Sequence, residues 1–214
     1  MAFSKVSVSK LPLPPKEILP DIFAFPPNPD SFGGVSYLIR GESCSFMVDV
    51  PEYVEQNIRF IEENDPSEFI FLTHRDDVAD AEMFREKFGA ALIIQESEKY
   101  AVKSPDLTFK DSLEIRDAQI IHTPGHSPGS SCLLYSKRGI MFTGDHVVVC
   151  NGKLAVEDFS WTYDYAKQIE SANKLLCYEF EYMLCGHGGR RLIQNAKQEL
   201  IKFLKDYSRE FQNG

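Results

Sequence analysis

Short apolar runs bounded by charged or turn-forming residues recur along this chain, and most are too short for helices. Val35 to Ile39 and Ser45 to Val50 are rich in β-branched and aromatic residues and are separated by Arg40-Gly41-Glu42-Ser43, which predicts a hairpin. After Pro51, Val54, Ile58 and Ile61 recur at helical spacing with acidic residues between them, so an amphipathic helix is expected over Tyr53 to Glu63, stopped by Asn64-Asp65-Pro66-Ser67. The same logic predicts a buried strand Phe69 to Thr73, a helix Glu82 to Phe88 closed by Gly89, and a strand Ala91 to Ile94 followed by a polar region reaching about Asp111. Further strands are expected at Ala118 to Ile121, Ser131 to Tyr135, Gly139 to Phe142 and Phe180 to Cys185, with helices from Tyr165 to about Cys177 and from Leu192 to Phe211. Leu11 to Pro29 is dense in proline and reads as an extended lead-in with room only for short strands, an edge or a wrapping arm.

Composition narrows the picture. With 214 residues, 43% of them hydrophobic, the chain can bury a substantial core, and a single domain over 1–214 is expected, with 1–30 as the proline-rich lead-in. A net charge of -9 argues against nucleic acid as a partner, because phosphate contacts need a basic face. No apolar run approaches the roughly 20 residues that span a bilayer, and the first ten residues lack the apolar stretch of a signal peptide. A cytoplasmic protein without a membrane partner is therefore expected. Its five cysteines form no C-x-x-C pair, which predicts reduced, mostly buried thiols.

Chemistry enters where strands end. Leu72-Thr73-His74, Phe142-Thr143-Gly144-Asp145 and Cys185-Gly186-His187 each place an imidazole or carboxylate at the carboxyl end of an apolar strand. Ile121 to Ser130 holds two prolines and two glycines, so it reads as a rigid loop that aims His126. Imidazole and carboxylate from separate strand ends suit a divalent metal, zinc first, with iron or manganese as alternatives. Each residue also has a plainer reading: a lone histidine as a core or surface group, Asp145 as a turn cap, and His122 and His146 as walls or supports of the site.

Together, Thr73-His74-x-Asp76, Thr123-Pro124-Gly125-His126-Ser127-Pro128-Gly129-Ser130, Thr143-Gly144-Asp145 and Gly186-His187-Gly188 resemble the metallo-β-lactamase superfamily in sequence and in order. The resemblance covers nearly the whole chain. It implies an α+β, four-layer αββα sandwich, with two mixed sheets flanked by helices and a metal site at one edge between the sheets. It also implies that Asp49, after the second strand, supports the site. The chain ends soon after the last histidine motif, so the added domain of typical glyoxalase II enzymes is expected to be missing.

The first motif departs from the family's His-x-His-x-Asp-His. Asp76 stands at the second histidine and retains an oxygen ligand, whereas Val78 and Ala79 stand at the later aspartate and histidine and can bind nothing. The expected ligands are His74, Asp76, His126, Asp145 and His187, with Asp77 or Asp80 as substitutes for the missing pair, unless these aspartates serve only to cap the following helix. The leading expectation is a metal-dependent hydrolase, with one metal, acting on a small-molecule ester, thioester, lactone or phosphodiester and using Asp145 and Asp76 in catalysis. Two alternatives stand beside it. His74, His126 and Asp145 form a set similar to the mononuclear non-haem iron set of persulfide dioxygenases, a partial resemblance because those enzymes keep the later Asp-His of the first motif, and Val78 and Ala79 suit a non-catalytic binding protein with a degenerate site. Arg190 and Arg191 are candidates to hold an anionic substrate, and Trp161 and Tyr163 to line a pocket or pack in the core.

Overall fold

A computed structural model describes residues 13–188 and 192–212. The lead-in contributes β1 (Lys16–Leu19) and β2 (Ile22–Ala24), an antiparallel pair at the edge of the first sheet. That sheet continues through β3 (Tyr37–Arg40), β4 (Ser45–Val48), β5 (Phe69–Phe71), β6 (Ala91–Gln95) and β7 (Leu107–Phe109), in sequence order. Pairing is antiparallel up to β4 and parallel from β4 to β7, because α1 (Glu55–Asn64), α2 (Ala81–Phe88) and a 3₁₀ segment (Glu96–Ala101) carry the chain back between successive parallel strands.

The second sheet runs β14 (Tyr182–Leu184), β11 (Ile140–Phe142), β10 (Ser131–Tyr135), β9 (Ala118–His122), β8 (Ser112–Ile115). Only β11 and β14 are parallel, and α3 (Tyr165–Leu175) lies between them in sequence. A small hairpin of β12 (Val148–Cys150) and β13 (Lys153–Ala155) follows β11, and α4 (Ala196–Gln212) ends the described chain.

The near-continuous apolar strands have a simple cause: both sheets are covered on both faces. Phe46, Phe71, Ile93, Ile120, Leu133 and Phe142 meet in the core between the sheets. Their neighbours in sequence point the other way. Met47, Ile70 and Leu92 pack on Ile58, Ile61 and Phe84 of α1 and α2, while Ile121, Cys132 and Met141 pack on Ala172, Leu175, Leu200 and Leu204 of α3 and α4. The result is the expected four-layer αββα sandwich.

Differences lie in weakly patterned stretches. The region expected to be merely polar up to Asp111 contains a short 3₁₀ helix (Glu96–Ala101) and β7, and β8 follows it. Burial explains the failure: Leu107 and Thr108 are exposed, so β7 presents little apolar pattern to read. The last helix starts at Ala196 rather than Leu192, since Ile193 forms a bridge to Met183 of β14. Among the described residues no helix is long and apolar enough to cross a membrane.

The sheets are stitched together near the carboxyl ends of β5, β11 and β14. Ser131 N donates to Thr73 O at 2.9 Å, Val35 N to Gly186 O at 2.8 Å, and the Tyr37 hydroxyl to Cys185 O at 2.6 Å. These are the ends that carry the candidate chemistry.

Candidate metal centre

His74 leaves β5 on extended backbone (φ -166°, ψ 174°) and enters a 3₁₀ turn, Arg75–Asp77. Its ring is held from behind. Asp49 ends β4 with φ 53° and is buried, and its carboxylate accepts from Thr73 N at 2.8 Å and from Thr73 Oγ1 at 2.9 Å. Since the Thr73 hydroxyl donates to Asp49, it accepts from Nδ1–H of His74 at 3.1 Å. When His74 is neutral, that relay fixes the tautomer that leaves Nε2 a free lone pair, and this buried nitrogen has no hydrogen-bond partner among the described residues. Burial raises the Asp49 carboxyl above its ordinary range, with Asp77 adding to the effect.

His126 sits in the tight loop between β9 and β10. Thr123 N to Ser130 O (2.8 Å), Ser127 N to Ser130 Oγ (2.9 Å) and His122 Nε2 with Pro128 O (2.9 Å) brace that loop. Gly125 is required here: its φ is 148°, and a Cβ would stand 2.2 Å from Cα of Gln168 in α3. Asp145 follows Gly144 after β11, and Gly144 (φ 51°) lets this turn approach Thr73, where a Cβ would lie 2.4 Å from Thr73 Oγ1. His187 follows β14, and its Nδ1 lies 2.6 Å from Oδ1 of Asp145.

Each of two imidazoles faces two carboxylates. His74 Nε2 lies 3.6 Å from Asp145 Oδ2 and 3.9 Å from Asp76 Oδ2, and His126 Nε2 lies 3.8 Å from Asp76 Oδ2 and 3.9 Å from Asp145 Oδ2. Four ligands placed tetrahedrally at roughly 2.0 to 2.2 Å from one ion stand about 3.3 to 3.6 Å apart. The imidazole–carboxylate separations are slightly wider than that; His74, Asp76 and His126 form one compact three-donor group and His74, Asp77 and Asp145 another, and imidazole nitrogens with carboxylate oxygens suit zinc, iron or manganese. The residues fit a divalent metal.

The charges are interdependent. Burial disfavours charge on His74, yet Asp77, Asp145, Asp49 and Asp76 outweigh it and raise the imidazole to about 9. His126 moves the other way, to about 4, through burial and the nearby His74. Burial also works against ionised Asp145, but the His187 hydrogen bond and the charge of His74 hold its carboxyl below the usual carboxylate range. The bond to Asp145 in turn raises His187.

Not every expected residue is here. Asp80 turns away: its Oδ2 accepts from Tyr53 N at 3.0 Å, so it joins α2 to the segment before α1. Asp77 takes the inner position, buried, with Oδ2 3.8 Å from His74 Nδ1, and it groups with His74 and Asp145. Val78 packs on the core beneath α1 and α2, and Ala79 is exposed. His146 lies buried under the site, and Arg190 and Arg191 lie outside the described residues. Sequence reasoning missed Glu98. This fully buried carboxylate accepts from Arg75 N and Gly129 N, both at 2.9 Å, and so ties the turn of His74 and Asp76 to the loop of His126. Nothing around Glu98 in the sequence marks it, because both partners are backbone groups far along the chain.

Asp76, His126 and Asp145 line a cleft of about 770 Å³, bounded also by Phe32, Val148, Val149, Phe159 and Trp161. The family model described as the metallo-beta-lactamase superfamily matches residues 49–187, from Asp49 behind the site to His187, whose ring nitrogens engage Asp145 and the Phe32 carbonyl rather than the four donors. The chain belongs to the metallo-beta-lactamase superfamily. Within it, the chain is similar to a hydroxyacylglutathione hydrolase of Pelagibacter ubique, 27% identical over 172 residues that cover 76% of this chain and 69% of that protein. A hydroxyacylglutathione hydrolase of Brucella ovis is 36% identical over 84 residues, only 33% of its length. Among solved structures, the BLEG-1 B3 metallo-beta-lactamase superposes with a TM-score of 0.67 at 21% identity, covering 83% of this chain and 95% of that one. An archaeal superfamily protein from Sulfolobus tokodaii gives 0.63 at 18% identity, covering 86% and 85%. These likenesses show the shared fold.

Proposed function

We propose that this superfamily member is a single-metal hydrolase of small esters or thioesters. The observation that carries the reading is that Nε2 of His74 and Nε2 of His126 each stand 3.6 to 3.9 Å from Oδ2 of both Asp76 and Asp145, at an open cleft lined by Asp76, His126 and Asp145. The hydroxyacylglutathione hydrolase relatives support the carbonyl substrate class. A divalent ion held there, zinc first, supplies Lewis acidity that lowers the pKa of a water and polarises a carbonyl.

The chain's own groups do the rest. Thr73 and Asp49 keep His74 in the tautomer that presents Nε2. His187 engages Oδ1 of Asp145 and so turns Oδ2 toward the donors. Asp76, with a side chain 46% exposed, is the most open of the four. Its Oδ1, 3.7 Å from Arg75 Nε, would take the proton of an attacking water, while Asp145 stays ionised and holds its position. The apolar side chains of the cleft exclude water around the reacting carbonyl.

The test is an assay of chelator-treated protein, reloaded with zinc, iron or manganese, against esters, thioesters, lactones and phosphodiesters. Carbonyl-ester or thioester turnover that depends on metal and disappears in Asp76→Ala supports the reading. No turnover in a protein that retains stoichiometric metal sinks it.

One observation favours a second reading. His74 Nε2 and His126 Nε2 share Asp145 Oδ2 at 3.6 and 3.9 Å, a two-histidine, one-carboxylate set of the kind that holds ferrous iron for oxygen chemistry. Oxygen uptake by iron-loaded protein with a glutathione persulfide, together with no ester hydrolysis, would replace the first reading with this one.

A further inference from the structure

Two rings in the cleft take no part in holding the donors. Phe159 and Trp161 stack with centroids 4.9 Å apart and planes at 8°, yet they are 38% and 63% exposed. Neither belongs to the buried core clusters, so core packing does not explain them.

Their segment is built to stay in place. Thr162 N donates to Phe159 O at 2.9 Å, Phe159 N donates to Thr162 Oγ1 at 3.0 Å, and Thr162 Oγ1 donates to Glu157 O at 3.3 Å. Tyr163 N then donates to His126 O at 3.0 Å, and Asp164 N to Gly125 O at 2.9 Å. The stacked pair is thus tied through the backbone to the loop that carries a donor of the metal centre. Phe32 reaches the same cleft from the turn between β2 and β3, 88% exposed, and His187 Nε2 donates to its carbonyl at 3.4 Å.

Exposed aromatic surface beside a polar reaction centre is unfavourable in water and favourable once covered by a flat apolar group. Pre-ordering removes most of the entropy cost of covering it. We propose that Phe159 and Trp161 form a stacking platform for an aryl group carried by the substrate beside its scissile carbonyl, so that the enzyme prefers aryl-bearing esters or thioesters over small aliphatic ones. The reaction named here rests on the hydrolase reading; the platform itself does not.

Trp161 is the single tryptophan of the chain, so its emission reports on the platform directly, with or without metal. The experiment titrates the full chain with phenylacetate, as an acyl-side probe, and with benzyl alcohol, as a leaving-group probe, against acetate and ethanol as aryl-free counterparts. A saturable emission change is expected with at least one aryl probe, at roughly tenfold lower concentration than with its counterpart, and which probe responds identifies the side of the carbonyl. Phe159→Leu, which keeps apolar volume and loses the flat face, should weaken that response by about tenfold while circular dichroism stays native. No saturable change with either aryl probe, or equal responses to aryl and aryl-free compounds, overturns the proposal. In metal-loaded protein, phenylacetyl thioesters should exceed acetyl thioesters in kcat/KM by about tenfold, with the ratio falling toward one in Phe159→Leu. A saturable response without hydrolysis of any ester or thioester keeps the platform and overturns only the reaction.

Discussion

Nδ1 of His187 lies 2.6 Å from Oδ1 of Asp145, and this bond divides the work of one carboxylate between its two oxygens. Oδ1 is engaged from β14, so Oδ2 is left to face His74 and His126. Removing the imidazole with His187→Ala should free the carboxylate to rotate and raise its pKa. Metal affinity is then expected to fall roughly 10- to 100-fold, as for other lost partners of metal-binding groups. Competition titration against a chelator reads the change, and an unchanged affinity contradicts the role given to His187.

Asp76 and Asp80 separate cleanly. Asp76 lies within 3.9 Å of both imidazole Nε2 atoms, whereas Asp80 accepts from Tyr53 N. Asp76→Ala should weaken metal binding at least tenfold with little effect on folding, because the side chain is half exposed. Asp80→Ala should lower stability by about 1 kcal/mol through the lost hydrogen bond and leave metal affinity unchanged. Equal metal losses in the two variants would contradict this assignment.

Glu98 joins two loops by accepting from Arg75 N and Gly129 N. Glu98→Gln turns an acceptor into a donor at one of those contacts and leaves a buried N–H without a partner, at about 1 to 3 kcal/mol. Because the loops carry His74, Asp76 and His126, metal affinity should fall along with stability. Urea denaturation and metal titration of the same variant check both, and a stability loss with native affinity would confine Glu98 to folding.

His146 supplies a pH dependence with a definite sign. Burial, with His126 nearby, holds its imidazole at about 3 instead of the ordinary 6.5. The unfolded chain therefore takes up a proton as pH falls through 6.5, while the folded chain does not until about 3. This contribution to stability is complete above the unfolded value and is lost on acidification, at up to about 1.4 kcal/mol per pH unit. His146→Leu removes that proton from the balance. Denaturant midpoints between pH 7 and 4 should fall less steeply for the variant than for the wild type, and parallel slopes would refute the assignment.

The legible parts of the chain were those with strong local signals. Alternating burial on two covered sheets left apolar runs such as Phe69 to Leu72 and Ile140 to Phe142, each ending in a polar turn, and the glycines around His126 and Asp145 marked backbone that must approach closely. The choice among Asp76, Asp77 and Asp80 was not legible, because it depends on a 3₁₀ turn that places one carboxylate in the cleft, one beneath His74 and one on Tyr53. Glu98 was invisible for a related reason: its partners are main-chain N–H groups, which any sequence offers.

The central claim is that His74, Asp76, His126 and Asp145 hold one divalent ion. Elemental analysis of the purified wild type beside Asp76→Ala tests it most directly. One ion per chain in the wild type, and substantially less in a variant that remains folded, is the expected result. A wild type that retains no metal after growth and reloading in zinc, iron and manganese, or a variant that retains the full complement, would contradict it.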